Sequence, residues 1–143
     1  MQTYTVAPQR NFILVFDKED DVLAALRAFA EEHTVRGASF VALGAFRNAT
    51  VAYWNPATKE YEHIAVDEQV EVLSLVGNIG ADGAETKIHA HATLGRRDGS
   101  AIGGHLIAAT VFPTLEMTVV VYDETIVRGT DEETGLSLIK RVG

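Results

Sequence analysis

Thr86-Lys-Ile-His-Ala-His-Ala-Thr-Leu-Gly-Arg-Arg-Asp-Gly-Ser-Ala-Ile-Gly-Gly-His-Leu-Ile107 carries three of the five histidines of this chain: His89, His91 and His105. The stretch reads as two strands joined by a tight turn. Side chains alternate along a strand, so His89 and His91 point to one face while Ile88, Ala90, Ala92 and Leu94 point to the other. Whether His105 joins them depends on the turn. A two-residue Asp98-Gly99 loop, the commoner form for this dipeptide, sets His105 opposite Ala92 and on the wrong face. A three-residue loop, Arg97-Asp98-Gly99, pairs Arg96 with Ser100 and sets His105 opposite His91, with Gly99 in the left-handed conformation. A bulge at Gly103-Gly104 would also restore the face. The three-residue register is the one expected here.

A His-x-His pair on a strand is by itself compatible with two surface histidines. The third histidine on the returning strand, beside glycines that allow close approach, favours a ligand set. Three imidazoles on one sheet face suit a divalent metal with one coordination position left open. The chain has no cysteine, so no thiolate is available to direct a softer metal, and zinc is the expected ion. His91 stands between the other two in this reading, so its replacement by alanine is expected to weaken binding most.

Working outward, the 143 residues read as one domain, 1–143, with 47% hydrophobic and 22% charged residues. The formal net charge of −8 opposes an unaided nucleic-acid surface. Without cysteines there is no disulfide framework to fix the compartment. The amino terminus lacks a basic region followed by an apolar run, and no apolar run approaches membrane-spanning length. A cytoplasmic protein with no membrane role is expected.

Arg10–Phe16 reads as a buried first strand. Asp17 is the expected N-cap of a single main helix, Lys18–His33, with an acidic first turn and Gly37 as its stop signal. His33 is expected to cap that helix or lie exposed. Ala38–Trp54 reads as two strands broken near Gly44–Asn48, and Asn55–Lys59 as a turn. Glu60–Val66 reads as a returning hairpin strand with His63 solvated. Gln69–Ile79 reads as a long central strand with Glu71 at a solvent-facing end, and Gly80–Glu85 as a turn. Phe112-Pro113 reads as a break before a buried strand, Glu116–Tyr122. Asp123–Asp131 reads as a turn with a short edge strand, and Leu136–Arg141 as a last short segment. The sum is an α+β domain on a largely antiparallel β-sheet.

Gly44-Ala45-Phe46-Arg47, Glu71–Ile79, His89-Ala90-His91 and Asp98-Gly99 through Gly103-Gly104-His105-Leu106 follow one another as in the PPC domain, the plant-and-prokaryote-conserved domain. The chain resembles that family over roughly Arg10 to Val127, as a stand-alone prokaryotic member. The resemblance implies an antiparallel sheet with helix, assembled as a homotrimer, and a metal held by His89, His91 and His105. Long strands with edges to cover agree with oligomerisation. Plant members are called DNA-binding, but this chain has no Arg-Gly-Arg-Pro hook for the minor groove.

Three functions fit these residues. The first, which we favour, is a trimeric metal-binding module with a regulatory or small-molecule-binding role. The second is a DNA-binding protein, as the family label suggests. The third is a small zinc-dependent hydrolase or lyase, in which the metal lowers the pKa of bound water. Glu71 or Glu116 would then serve as base and Arg47 as a grip on an anionic substrate.

Overall fold

Two strands far longer than the average set the architecture, which was described from a computed structural model covering residues 1–143. Strand β2 spans Ala38–Asn55 and β6 spans Ala101–Tyr122. The others are β1 (Pro8–Phe16), β3 (Glu60–Val66), β4 (Val70–Asp82), β5 (Glu85–Gly95), β7 (Ile126–Thr130) and β8 (Ser137–Val142), with one helix, α1 (Val22–Glu32). The strand order is β3-β2-β6-β5-β4-β7-β8, with β1 beside β6 and a further pairing of β2 with β4. That last pairing closes a ring through β2, β6, β5 and β4. Every pairing is antiparallel except a single parallel pair, Ala81 with Val127, between β4 and β7.

The core collects one face of these strands, including Leu75, Ile79, Leu94, Leu106 and Val111, and the Val22, Leu26 and Ala30 stripe of α1. Fully burying a side chain such as Leu26 contributes about 1.5–3 kcal/mol. Along β5 the alternation is as expected: Ala90, Ala92 and Leu94 are buried, and the histidines lie on the other face. Glu71 and His63 are exposed, and the Glu60–Val66 strand lies where it was expected.

Several expectations are corrected. The helix begins at Val22, not Lys18, and its N-cap is Asp21, which accepts from the Ala24 amide at 2.8 Å. Residues 17–20 are tied elsewhere. Glu19 N–H donates to the Val111 carbonyl, Val111 N–H donates to the Asp20 carbonyl, and Glu19 takes a left-handed φ of 72°. Those bonds to β6 outcompete a first helical turn, which consequently holds no acidic residue. Nor does Gly37 stop the helix. Thr34, at φ 55°, occupies the left-handed position of a Schellman motif, with Val35 N–H on the Ala30 carbonyl and Thr34 N–H on the Glu31 carbonyl. His33 is the C-cap residue, as expected, with its ring packed against those of Phe12 and Phe29.

Ala38–Trp54 is one strand rather than two. Irregularities at Ala42/Gly44, Gly44/Phe46 and Phe46/Asn48 bend β2 without ending it. Phe112-Pro113, a cis peptide, likewise does not interrupt β6. Leu115 pairs with Gly44 and Val111 with Phe46, so Pro113 falls in a bulge where no ladder donor is required. Strand β4 runs to Asp82, leaving a turn only at Gly83-Ala84. Strand β7 is not at an edge, because β8 pairs along its outer side.

Candidate metal and ligand site

The turn between β5 and β6 adopts the three-residue register. Arg96 N–H donates to the Ser100 carbonyl at 2.8 Å, Gly99 N–H to the Arg96 carbonyl at 3.0 Å, and Gly99 has φ 86°. Asp98 Oδ1 accepts from both Ser100 N–H and Ser100 Oγ, and these bonds hold its carboxyl below the usual range. The turn sets Gly95 opposite Ala101 and His91 opposite His105.

The three imidazoles therefore meet. Ring centroids are 5.1 Å apart for His89–His91, 5.3 Å for His89–His105 and 5.4 Å for His91–His105. One ring nitrogen from each residue lies within 4.8 Å of the other two. The triangle is nearly equilateral, so His91 does not stand between its neighbours, contrary to the linear picture drawn from the strand. Tyr61 of β3 stacks on His105 at 4.7 Å.

Arg128 of β7 completes the cluster. Nη2 lies 3.2 Å from His89 Nδ1 and donates to Asn78 Oδ1 at 2.8 Å, while Nη1 donates to the Ser137 carbonyl at 2.6 Å. Neither Arg128 nor Tyr61 was singled out from the sequence. The available signal for Arg128 was its phase with Ile126, which puts an arginine on the same face as a buried residue. Arg128, Tyr61 and the three histidines line a cavity of about 640 Å³, with Ala52, Tyr53, Trp54, Lys87, Ile88, Gly104 and the segment Gly135–Leu138 leading into β8 completing its walls.

The three other residues given roles in the hydrolase reading lie elsewhere. Glu71 is the second residue of β4, opposite Gly95, five residues and about 16 Å along the strand from Val76, the neighbour of His91. Glu116 lies opposite Val15 and Leu43, in a separate shallow groove. Arg47 pairs with Glu19 and sits 4.5 Å over the Phe112 ring. No carboxylate lines the cavity.

Burial, then the Arg128 charge, then the other two histidines lower the His89 pKa to about 4. His105 is lowered by burial, then His91 and Arg128, and Arg128 itself by burial. His89 is thus uncharged at neutral pH, the form that ligates metal. The buried His105 Nδ1 has no hydrogen-bond partner. A tetrahedral zinc needs donor nitrogens about 3.3 Å apart, so a modest closure of the triangle fits the ion.

The His89 shift predicts a pH dependence for the metal-free protein. Its pKa is lower folded than unfolded, so between about 6.5 and about 4 the unfolded chain binds the extra proton. Stability from this group is full above pH 6.5 and is lost as pH falls towards 4. Urea midpoints measured between pH 7.5 and 4 check this. In His89→Gln, the fall with pH should be shallower.

Among solved structures, the chain is similar to a metal-containing protein from Archaeoglobus fulgidus, at 33% identity, covering 99% of this chain and 100% of that one, with a TM-score of 0.91. It is similar to a plant- and prokaryote-conserved (PPC) protein from Pyrococcus horikoshii, at 26% identity, 100% and 99% coverage and a TM-score of 0.92. A protein from Bacteroides thetaiotaomicron, named as a candidate DNA-binding protein, is 30% identical over 94% of this chain and 96% of that one, with a TM-score of 0.88. No curated protein matches the sequence. Residues 4–123 match the Plants and Prokaryotes Conserved (PCC) domain, the family abbreviated PPC above. By that match, which spans most of its length, this chain belongs to the PCC domain family.

Proposed function

We propose that this protein is a stand-alone, homotrimeric PCC-domain module that binds one zinc ion per chain through His89, His91 and His105 and takes a small ligand at the metal. The observation that carries the reading is the triangle of ring nitrogens, each within 4.8 Å of the other two, on the wall of one open cavity shared with Arg128 and Tyr61. The A. fulgidus relative is itself metal-containing. With three protein ligands, zinc keeps a position for an exogenous group. A hydrolase or lyase is the weaker reading, because neither Glu71 nor Glu116 reaches the cavity.

Self-association is supported by a row of exposed apolar residues on the outward face. Ile13 stands across from Thr118, Thr118 from Val41, Val41 from Val76, and Val76 from His91. Ile13 is 70% exposed, Val41 53% and Val76 47%. Residues in register share a face, so these side chains form one surface for a second copy to cover. No helix is long and apolar enough to cross a membrane.

Elemental analysis after zinc loading should give one zinc per chain, and light scattering a mass three times that of one chain. A metal-free protein after loading, or a monomer at micromolar concentration, removes the corresponding half of the proposal. DNA binding is the second reading, favoured by the name of the B. thetaiotaomicron relative. A trimer would carry −24, three times −8. We therefore expect no sub-micromolar affinity for duplex DNA at about 150 mM salt in a filter-binding or anisotropy assay.

A further inference from the structure

A buried guanidinium is costly unless a carboxylate or other anion compensates it. Arg128 is 5% exposed, yet it donates only to the Ser137 carbonyl and Asn78 Oδ1, with His89 Nδ1 3.2 Å from Nη2, and none of these is anionic. Its Nε has no partner at all. The chain has 20 acidic and 12 basic residues, but Arg128 and Lys87 line the cavity and no Asp or Glu does. Glu85 pairs with Lys87 at 2.7 Å and does not line the cavity. The remaining wall is aromatic and apolar, with Trp54, Tyr61, Leu136 and Leu138 facing the space.

We propose that this cavity binds a small organic carboxylate with an apolar or aromatic body, held jointly by the Arg128 guanidinium and the open position of the metal. The inference rests on the assignment of the three histidines as metal ligands. Three neutral imidazoles leave both charges of a divalent ion uncompensated, and Arg128 adds a third. A carboxylate offers one oxygen to the ion and one to the guanidinium, and charge-assisted contacts of this kind are the strong ones. The body of the ligand lies against Tyr61 and Trp54. Binding makes and breaks no covalent bond.

The test is calorimetric titration of sodium benzoate into the zinc-loaded full chain, as wild type, Arg128→Gln and Arg128→Lys. Benzyl alcohol and inorganic phosphate serve as comparison ligands, and zinc content is measured on the same samples. Benzoate should saturate on wild type, bind at least tenfold more weakly to Arg128→Gln and fall between the two in Arg128→Lys, with one zinc per chain in all three. Benzyl alcohol should not bind. Equal benzoate affinity in wild type and Arg128→Gln overturns the proposal, as does benzyl alcohol matching benzoate or phosphate binding more tightly than benzoate. Loss of zinc from Arg128→Gln makes Arg128 a positioning residue for His89 and also overturns it. Full zinc with no benzoate binding to wild type defeats the carboxylate site alone. A wild type that takes up no zinc defeats the metal assignment and the joint site with it.

Discussion

Replacing any one of His89, His91 or His105 by alanine is expected to lower zinc affinity by on the order of 100-fold or more, because each supplies one of only three protein ligands. The near-equilateral arrangement of the rings makes the three losses similar in size. His105→Ala should show a further effect, since it also removes the ring on which Tyr61 stacks. All three variants should keep the fold, because the histidines project from the outward face and none belongs to the core cluster. Competition titration against a chromophoric chelator, with circular dichroism as the folding check, measures both. Unchanged affinity in all three variants would return the histidines to the status of ordinary strand residues.

Gly77→Ala should give a large loss of stability. Gly77 lies on β4 opposite Ala90, the residue between His89 and His91. A Cβ there would sit 2.3 Å from the His89 carbonyl oxygen and 2.4 Å from the Phe40 ring. The ring is buried and the carbonyl belongs to a paired strand, so neither yields without moving backbone. Overpacking of this severity costs about 3 kcal/mol, a fall of roughly 10 °C in Tm for a domain of this size. The strand that moves carries two of the proposed ligands, so zinc affinity should fall by about tenfold as well. Thermal denaturation and the same chelator titration read the two effects separately. An unshifted Tm would mean that β4 and β5 separate more easily than their pairing suggests.

The histidine hairpin was legible because everything that fixes it is local. The alternation around His89 and His91 sets the face, and the Asp98-Gly99 turn sets the register within a few residues of the site. The helix start was illegible because Glu19 and Asp20 bond to Val111, some ninety positions away in the chain. The continuity of β2 and β6 was hidden for a related reason. Gly44 and Pro113 each look like breaks, but they lie near one another across the same pair of strands, and the bulge of one accommodates the other. Arg128 and Tyr61 reach the cavity because β7 lies beside β4 and β3 beside β2, flanking the ring of strands that carries the histidines, and no spacing in the sequence encodes that. Glu71, Glu116 and Arg47 attracted roles by residue type alone, and the topology carries each to a different part of the surface.

Val76 is a direct cross-strand neighbour of His91 and also part of the exposed apolar row. A second copy seated on that row would press on a strand that positions the metal, and so the two equilibria would be thermodynamically linked. Whatever factor association contributes to zinc affinity, zinc must return to association. Apparent zinc dissociation constants would then shift with protein concentration, and chelation would shift the dilution at which the assembly comes apart.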